Sequence, residues 1–402
     1  MRVKIFQALK YRRFLLFWVG SCFSFSGQWV QVMALSWLVL ELTNSPFYLG
    51  LIGLVRAIPA LFFSLLGGVL ADRINRRWLF FFTHLGVLSM SLLLALLITL
   101  GITNVWIVLG VTFLGAIVFA MNNTTRQALI PQLVEKPELV NAIALNQAAF
   151  SAGRIVGPII AGAIIALWDI AACFYFNAMI MIPLALALLS IRVPSPISTT
   201  RISNIYGEFV EGLRYVRGNR EIASLLFLVA FPTFFGMSYT VLLPIYARDL
   251  LGVGASGYGA LMSASAVGGL IAAFIVANLG TFSRKGLLIL WAAILFGLLL
   301  VIFALSNWYL FSLVLVALIG AANNGYLTLT NSLIQLLVPE KIRGRVMSLY
   351  MLNPAVLHHL GTLFLGAVAT VIGATFSLIG GGFIVAGFVS YMAIKVPQLR
   401  RL

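Results

Sequence analysis

Long stretches without a charged side chain constrain the fold of this chain more than any other feature. Between Arg77 and Arg126 there is no Asp, Glu, Lys or Arg, and the stretch from Phe14 to Leu40 is likewise uncharged. Of the 402 residues, 62% are hydrophobic and 9% are charged, whereas a soluble domain carries about 25% charge. Too few polar side chains remain to coat a soluble body of this length. The composition therefore predicts a protein that resides in a lipid bilayer.

The same composition excludes two other classes of protein. Disordered segments are poor in apolar residues, which this chain is not. Cys22 and Cys173 are its two cysteines, and both lie inside apolar stretches, which excludes a secreted scaffold held by disulfides.

The apolar stretches divide into twelve segments, each long enough for the roughly 20 residues that a membrane helix needs. The stretch after Arg77 holds two of them, with a tight break predicted at Gly101–Asn104. The other ten are Phe14–Leu40, Pro46–Ala71, Leu139–Leu167, Ile170–Ile191, Ile222–Ala247, Ser256–Leu279, Gly286–Leu305, Trp308–Ser332, Val346–Thr370 and Ala374–Ile394. Because lipid satisfies no free backbone groups, every span is expected to be α-helical.

The positions of the basic residues predict the orientation in the membrane. The 26 Lys and Arg against 10 Asp and Glu give a net charge of +16, which in a soluble protein would suggest nucleic acid. With a cytoplasmic N-terminus, every Lys and Arg except Arg56, Arg154 and Arg248 falls on the cytoplasmic side. This asymmetry predicts a multi-pass protein of the plasma membrane with both termini in the cytoplasm. Its charge then faces anionic membrane lipids, and no nucleic-acid partner is expected.

The two halves of the chain resemble each other. Gly115 is followed by Asn122 and Asn123 near the end of span 4, as Gly320 is followed by Asn323 and Asn324 near the end of span 10. Such repeats are typical of transporters with a substrate site at the midplane between two bundles. The predicted fold is an all-α integral membrane protein of twelve transmembrane helices in two pseudo-symmetric six-helix bundles. Residues 1–191 form the first bundle, 192–221 a cytoplasmic linker and 222–402 the second.

The linker contains apolar residues at helical spacing. Ile205, Phe209, Leu213 and Val216 alternate with charged side chains, which predicts a short amphipathic helix on the cytoplasmic surface. The simpler interpretation is a tether between the bundles.

Two motifs resemble those of a known superfamily. GVLADRINRR, from Gly68 to Arg77, resembles the Gly-x-Leu-Ala-Asp-Arg-x-Gly-Arg-Lys loop of the major facilitator superfamily. Asn75 replaces its second Gly, and Asn tolerates the left-handed turn expected there. GRIVGPIIAG, from Gly153 to Gly162, resembles the span 5 signature of drug–proton antiporters. With ALSWLVLELTNSP in span 1 and PEKIRGRVMSL after span 10, the chain is most similar to the group that includes macrolide and enterobactin exporters.

The resemblance implies a cytoplasmic gate and a flexible span 5. The gate would comprise Gly68, Asp72, Arg73, Arg76, Arg77 and Arg126, with Asp72 facing the start of span 11. A carboxylate near a helix N-terminus is stabilised there; the alternative is a solvated loop charge that balances Arg73. Gly153, Gly157, Pro158 and Gly162 imply close helix packing and, by resemblance, a role in antiport. Span 4 lacks the Arg ahead of a Gln–Gly pair that antiporters carry, which weakens the expectation of proton coupling by that route.

Charged and titratable residues within the spans are the candidates for function. Arg56 and Arg154 lie deep in the membrane, where a charge is costly unless it faces protein or water. They either attract an anion into the central cavity or clamp neighbouring spans. Glu41 is a proton-coupling candidate, an outer-interface charge or a partner of Arg56. His358 and His359 are proton-coupling candidates because imidazole titrates near neutrality. The alternative is that they pack against neighbouring spans. Uncharged polar residues complete the expected substrate cavity, which comprises Gln28, Gln31, Arg56, Asn146, Arg154, Tyr239 and Asn353.

The sequence shows no motif of an enzyme, a metal site or an ATP-binding loop, so no cofactor is expected. We predict a secondary active transporter that works by alternating access as a monomer. It would export an amphiphilic small molecule, such as a drug or siderophore, in exchange for protons. The alternatives are a transporter of an organic anion or lipid by uniport or symport, and a receptor or channel that transports nothing.

Overall fold

The fold is entirely helical in the part of the chain that the computed structural model describes. That part covers residues 6–191, 205–278 and 284–400, without the side chains of residues 65, 69, 71, 72, 205, 206, 208 and 209. Its secondary-structure elements include no strand, and 12 helices are long and apolar enough to cross a membrane. The prediction of an all-α membrane protein with twelve spans is confirmed.

The first six spans are continuous helices. They run Arg12–Thr43, Pro46–Arg73, Arg76–Thr99, Val105–Leu129, Leu139–Leu167 and Ile170–Ser190. A short 3₁₀ helix, Gln7–Lys10, precedes span 1, and two more, Ile130–Gln132 and Lys136–Glu138, connect spans 4 and 5.

Two of the last six spans are interrupted. Span 7 consists of Arg220–Phe231, a π-helical turn at Pro232–Gly236, a 3₁₀ turn at Met237–Val241, Leu243–Ile245 and a second π turn at Tyr246–Leu250. Span 11 consists of Glu340–Leu352, a π turn at Asn353–Leu357, and His358–Ile372. Spans 8, 9, 10 and 12 run Gly254–Asn278, Lys285–Ala304, Tyr309–Leu337 and Ala374–Lys395, and a 3₁₀ helix, Pro397–Arg400, follows.

Helix ends lie where the sequence supplies capping residues. Span 1 stops at Asn44, whose φ of 48° is left-handed and whose N–H donates to the Leu40 carbonyl. The predicted break between spans 3 and 4 is confirmed: Gly101 has a φ of 70°, and the Asn104 side chain accepts from the Ile107 N–H at 2.9 Å. Asp169 caps span 6 in the same way. The Asn104 and Asp169 side chains thus accept hydrogen bonds from amide groups that would otherwise lack partners at the start of a helix.

The chain forms two compact units. The N-terminal unit comprises Met1–Asn44, Val55–Thr200 and Gly254–Gly259, and the C-terminal unit comprises Ser45–Leu54, Arg201–Val253 and Ala260–Leu402. Spans 2 and 8 therefore each contribute residues to both units. The predicted boundaries at residues 191 and 222 stay a prediction.

Within the N-terminal unit, the glycines of span 5 allow close contact with span 1. A Cβ on Gly153 would lie 2.8 Å from the Phe25 carbonyl carbon, and one on Gly157 would lie 2.8 Å from the Ser26 oxygen. Pro158 is buried, and a Cβ on Gly162 would lie 2.9 Å from the Ser256 Cα. The small residues thus act in packing, and their role in antiport stays a prediction.

The C-terminal unit repeats this pattern of contacts. Gly361 and Gly366 have the same spacing as Gly157 and Gly162. A Cβ on Gly361 would meet the Phe234 oxygen of span 7, and one on Gly366 would meet the Pro46 oxygen at the start of span 2 at 2.5 Å. Each unit therefore packs the glycines of one span against two other spans in a matching order.

The linker contains the helix Ile205–Gly218, which we call the linker helix. It packs on the first half of span 11, where a Cβ on Gly212 would lie 3.0 Å from the Arg345 carbonyl oxygen. Residues 192–204, which the sequence placed in the same linker, lie outside the described residues.

Candidate functional site

Two arginines of the predicted gate bind the ends of neighbouring helices. Arg76 donates from Nη1 to the Ala128 carbonyl at 3.1 Å. Arg77 donates from Nε to the Leu188 carbonyl and from Nη2 to the Leu189 carbonyl, each at 2.5 Å. Carbonyls at the end of a helix lack intrahelical donors and carry partial negative charge. Both arginines thus stabilise the ends of spans 4 and 6 within the N-terminal unit.

The other residues of the gate loop are less engaged. Arg73 is exposed, and a Cβ on Gly68 would make only an ordinary contact with Thr124, at 3.8 Å. Asp72 lies in span 2, and its side chain lies outside the described part, so its role as a gate stays a prediction. The expectation of a left-handed turn at Asn75 is wrong. Its φ is −58°, and its side chain accepts from the Arg77 N–H at the start of span 3, because Asn is a favourable N-cap.

Arg126 lies in the interior of the N-terminal unit. It is 5% exposed, and its guanidinium lies 4.2 Å from the Phe25 ring centroid and 5.5 Å from that of Phe80. Nη2 donates to the Ser24 hydroxyl at 3.2 Å. Within the described residues, Nε and Nη1 have no acceptor. The sequence placed Arg126 at the gate, whereas its described contacts are with aromatic rings of spans 1 and 3.

Aromatic rings of spans 1 and 5 connect Arg126 with Arg154. Phe25 meets Phe150 at a centroid distance of 5.3 Å, and Trp29 meets Phe150 at 5.9 Å. The Arg154 guanidinium lies 5.7 Å from the Trp29 ring. Both arginines are within the roughly 6 Å over which cation–π attraction acts. We call Arg126, Phe25, Phe150, Trp29 and Arg154 the arginine–aromatic ladder.

Hydrogen-bonding groups without a partner among the described residues lie in the ladder itself and one helical turn before Phe150 on span 5. Trp29, Phe150 and Arg154 are half-buried. Neither the Trp29 indole N–H nor the Asn146 side-chain oxygen has a partner in the described part of the chain. A buried polar group without a partner costs about 1–3 kcal/mol. A bound molecule that supplied the partner would therefore gain affinity here.

Other predicted cavity residues of the N-terminal unit are placed differently. Gln31 accepts a hydrogen bond from Asn177 at 2.9 Å, and the same amide donates to Ser91 at 3.0 Å. Gln31 thus joins a network that links spans 1, 3 and 6. Gln28 and Arg56 are half-buried. Their role in a cavity stays a prediction.

Glu41 lies at the end of span 1 and is exposed. It accepts a hydrogen bond of 2.6 Å from the Trp37 indole, and Trp37 stacks on Tyr258 at 6.1 Å. Glu41 therefore fixes an aromatic side chain at the helix end.

In the C-terminal unit, Tyr239 and Asn353 are buried and bonded to protein groups. The Tyr239 hydroxyl pairs with Ser265 at 2.9 Å, and the Asn353 amide donates to the Tyr350 carbonyl at 2.8 Å. His358 and His359 are half-buried, with ring centroids 5.2 Å apart directly after the π turn of span 11. No group of three or more metal-ligating side chains occurs among the described residues.

Comparison with known proteins identifies the family. The pattern of a family described as "Transmembrane secretion effector" matches residues 4–401. This chain belongs to that family of major facilitator transporters. The transporter is 25% identical over 397 residues to the staphyloferrin A transporter of Staphylococcus aureus, with 96% of this chain and 97% of the relative covered. It is 26% identical to the multidrug efflux pump Tap of Mycolicibacterium fortuitum, with 94% of each chain covered.

A solved structure shares the fold of this transporter. A bacterial homologue of the human lysosomal transporter Spinster, in an inward-facing and unoccupied conformation, superposes with a TM-score of 0.75. It is 14% identical in sequence and 98% of each chain is covered. Because the family and the sequence relatives are transporters, the chain is a multi-pass membrane transporter of small molecules and not an enzyme, as the sequence predicted.

The sequence analysis did not single out one member of the ladder and two glycines that pack span 11. Phe25 was not singled out, although its ring joins Arg126 to Phe150. Its position beside the small residues Ser24 and Ser26, facing the glycines of span 5, is the signal that could have revealed it. Gly361 and Gly366 were also missed, although their spacing copies that of Gly157 and Gly162.

Proposed function

We propose that this transporter exports an amphiphilic small molecule in exchange for protons, by alternating access. It would do so as a monomer in the plasma membrane. The distribution of basic residues predicts that both termini lie in the cytoplasm. The arginine–aromatic ladder is the observation that carries the choice of cargo. The efflux named for the Tap relative agrees with this direction of transport.

The ladder has the composition of a site for amphiphiles. Ligand sites are mostly apolar, with a few polar groups that fix the orientation of the ligand. The half-buried rings of Trp29 and Phe150 provide the apolar surface, and the Trp29 N–H and the Asn146 oxygen provide polar points. A planar, partly polar molecule can stack on Trp29 or Phe150 and receive the indole hydrogen bond.

For proton coupling, we propose the pair His358 and His359. They are adjacent and half-buried at the point where span 11 changes its helical geometry. Imidazole is the side chain that exchanges protons near physiological pH. Glu41 is the weaker candidate, because it is exposed at a helix end and bonded to Trp37.

Reconstituted vesicles test this proposal. The purified transporter is placed in liposomes, a pH gradient is imposed, and uptake of the dye ethidium is followed by fluorescence. We expect uptake that requires the gradient and falls at least tenfold in Trp29→Ala. Trp291→Ala is the matched control, since Trp291 is 63% exposed and lies outside the ladder. Ethidium uptake that is the same with and without the pH gradient would contradict proton exchange. An equal loss of uptake in Trp29→Ala and Trp291→Ala would contradict the role of the ladder.

A second candidate is transport of an organic anion or lipid by uniport or symport. It is favoured because both ends of the ladder are arginines and none of its members is acidic. Arg154→Gln and Arg56→Gln would then slow transport of an anionic dye such as carboxyfluorescein, with less effect on ethidium. Unchanged carboxyfluorescein transport in both variants would dismiss this candidate.

A further inference from the structure

The two halves of span 11 are held by different parts of the C-terminal unit. The first half, Glu340–Leu352, and the second half, His358–Ile372, are separated by the π turn Asn353–Leu357. Pro354 lies in this turn, and proline both lacks an N–H donor and bends helices. A π turn of this kind is a common site of helix bending.

The second half is fixed by close backbone contacts. A Cβ on Gly361 would clash with the Phe234 carbonyl oxygen, and one on Gly366 would lie 2.5 Å from the Pro46 carbonyl oxygen. The Ser238 hydroxyl, which donates to the Phe234 carbonyl at 2.7 Å, also lies 3.4 Å from the His358 carbonyl oxygen. At Gly361 and Gly366 the backbone of this half therefore packs directly against the backbones of spans 7 and 2. This close packing leaves the second half little freedom to move.

The first half is held instead by the linker helix. Arg345 forms an ion pair with Glu211. Beside it, the absence of a side chain on Gly212 brings the two backbones together, since a Cβ there would lie 3.0 Å from the Arg345 oxygen. Val216 and Val346 are buried nearby, at 8% and 0% exposure. The first half also contacts span 10, where the Tyr350 hydroxyl donates to the Leu327 carbonyl at 3.2 Å.

We propose that the linker helix and the first half of span 11 form one arm that pivots at Asn353–Leu357 while the second half stays fixed. Glu211, Gly212 and Arg345 are positioning residues that keep the two helices of the arm together. The linker helix then supports the first half of span 11, in addition to connecting the two units. This inference goes beyond the proposed function, since it requires neither a particular cargo nor proton coupling.

Hydrogen–deuterium exchange of the full-length transporter in lipid nanodiscs tests the arm without any cargo. Glu211→Arg is expected to speed exchange of both 205–218 and 340–352 by about fivefold, the factor that an exposed ion pair of ordinary strength supports. Exchange of 358–372 stays at the wild-type rate. The double variant Glu211→Arg with Arg345→Glu restores slow exchange, whereas Arg217→Glu, an exposed position on the same helix, leaves it unchanged.

Two outcomes of that experiment would overturn the proposal. If 340–352 exchanges at the wild-type rate in Glu211→Arg, the linker helix does not support it. If 358–372 accelerates equally, span 11 is one rigid rod without a pivot. Neither outcome depends on whether ethidium is transported, so a failure of the arm and a failure of the proposed function are distinguishable.

A disulfide tests whether the two helices move together. A Cβ on Gly212 would lie 3.2 Å from the Arg345 Cβ, close to the roughly 3.5–4.5 Å that a disulfide requires. Gly212→Cys with Arg345→Cys is made in a chain whose Cys22 and Cys173 are alanine. Without the ion pair, the reduced protein should exchange the amides of 205–218 and 340–352 faster than the wild type, and oxidation should return both segments to the wild-type rate. An oxidised protein in which 340–352 still exchanges at the reduced rate would refute a joint movement.

Discussion

Replacing Gly157 by alanine tests the close contact between spans 1 and 5, which positions Trp29 in the ladder. The new Cβ would lie 2.6 Å from the Trp29 Cβ and 2.8 Å from the Ser26 carbonyl oxygen. Neither atom is the end of a flexible side chain, so span 1 must shift. Overpacking of this kind costs about 1–3 kcal/mol, while alanine gains about 1 kcal/mol over glycine as a helix former.

The matched control is Gly110→Ala in span 4, where an added Cβ has nothing within 4 Å. The gain in helix propensity is common to both variants and cancels in the comparison. The free energies of unfolding should therefore differ by about 1–3 kcal/mol, with Gly157→Ala the less stable. Because Trp29 is displaced, Gly157→Ala should also bind ethidium more weakly.

Equilibrium unfolding in mixed micelles of dodecyl maltoside and dodecyl sulfate measures the difference. If Gly157→Ala proves as stable as Gly110→Ala and binds ethidium with wild-type affinity, spans 1 and 5 are not in the contact described. The reasoning from glycine spacing to the ladder would then be refuted.

Three further variants probe the framework around the site. Asn177→Leu leaves its two amide partners unsatisfied and should lower the free energy of unfolding by about 1–3 kcal/mol; an unchanged value in the micelle assay would deny the network. Asp169→Ala removes the cap of span 6 and should cost about 1 kcal/mol, while Asp169→Asn keeps it; equal melting of the two would deny the cap. Arg77→Ala should speed amide exchange at the end of span 6, whereas exposed Arg73→Ala should not; equal exchange in both would deny the carbonyl contacts.

The spans were predictable because their signal is local. An uncharged stretch of sufficient length must be helical in lipid. Glycine readily adopts a positive φ and Asn is a favourable N-cap, so Gly101 and Asn104 indicate a break between helices from the sequence alone. The arginines of the loop after span 2 were also correctly singled out. Their partners, the carbonyls at the ends of spans 4 and 6, depend on which helices are neighbours, and a single sequence does not state that.

The ladder was less predictable because its signal is not local. Phe25 is one of 30 phenylalanines, and its importance comes from contacts with residues more than a hundred positions away. Arg126 follows a polar run near the end of span 4, so sequence alone suggested the membrane surface. Only packing shows that its guanidinium lies over aromatic rings. Hydropathy does not reveal the interruptions of spans 7 and 11, although Pro232 lies in the first π turn of span 7 and Pro354 in the π turn of span 11.

Photo-crosslinking tests the central claim most directly. An azide derivative of ethidium is bound to the reconstituted transporter, illuminated, and the modified peptides are identified by mass spectrometry. We predict adducts on the segments of spans 1 and 5 that contain Trp29 and Phe150, and their loss when unlabelled ethidium competes. Competed adducts confined to other spans, with none on either segment, would contradict the claim that the ladder binds the cargo.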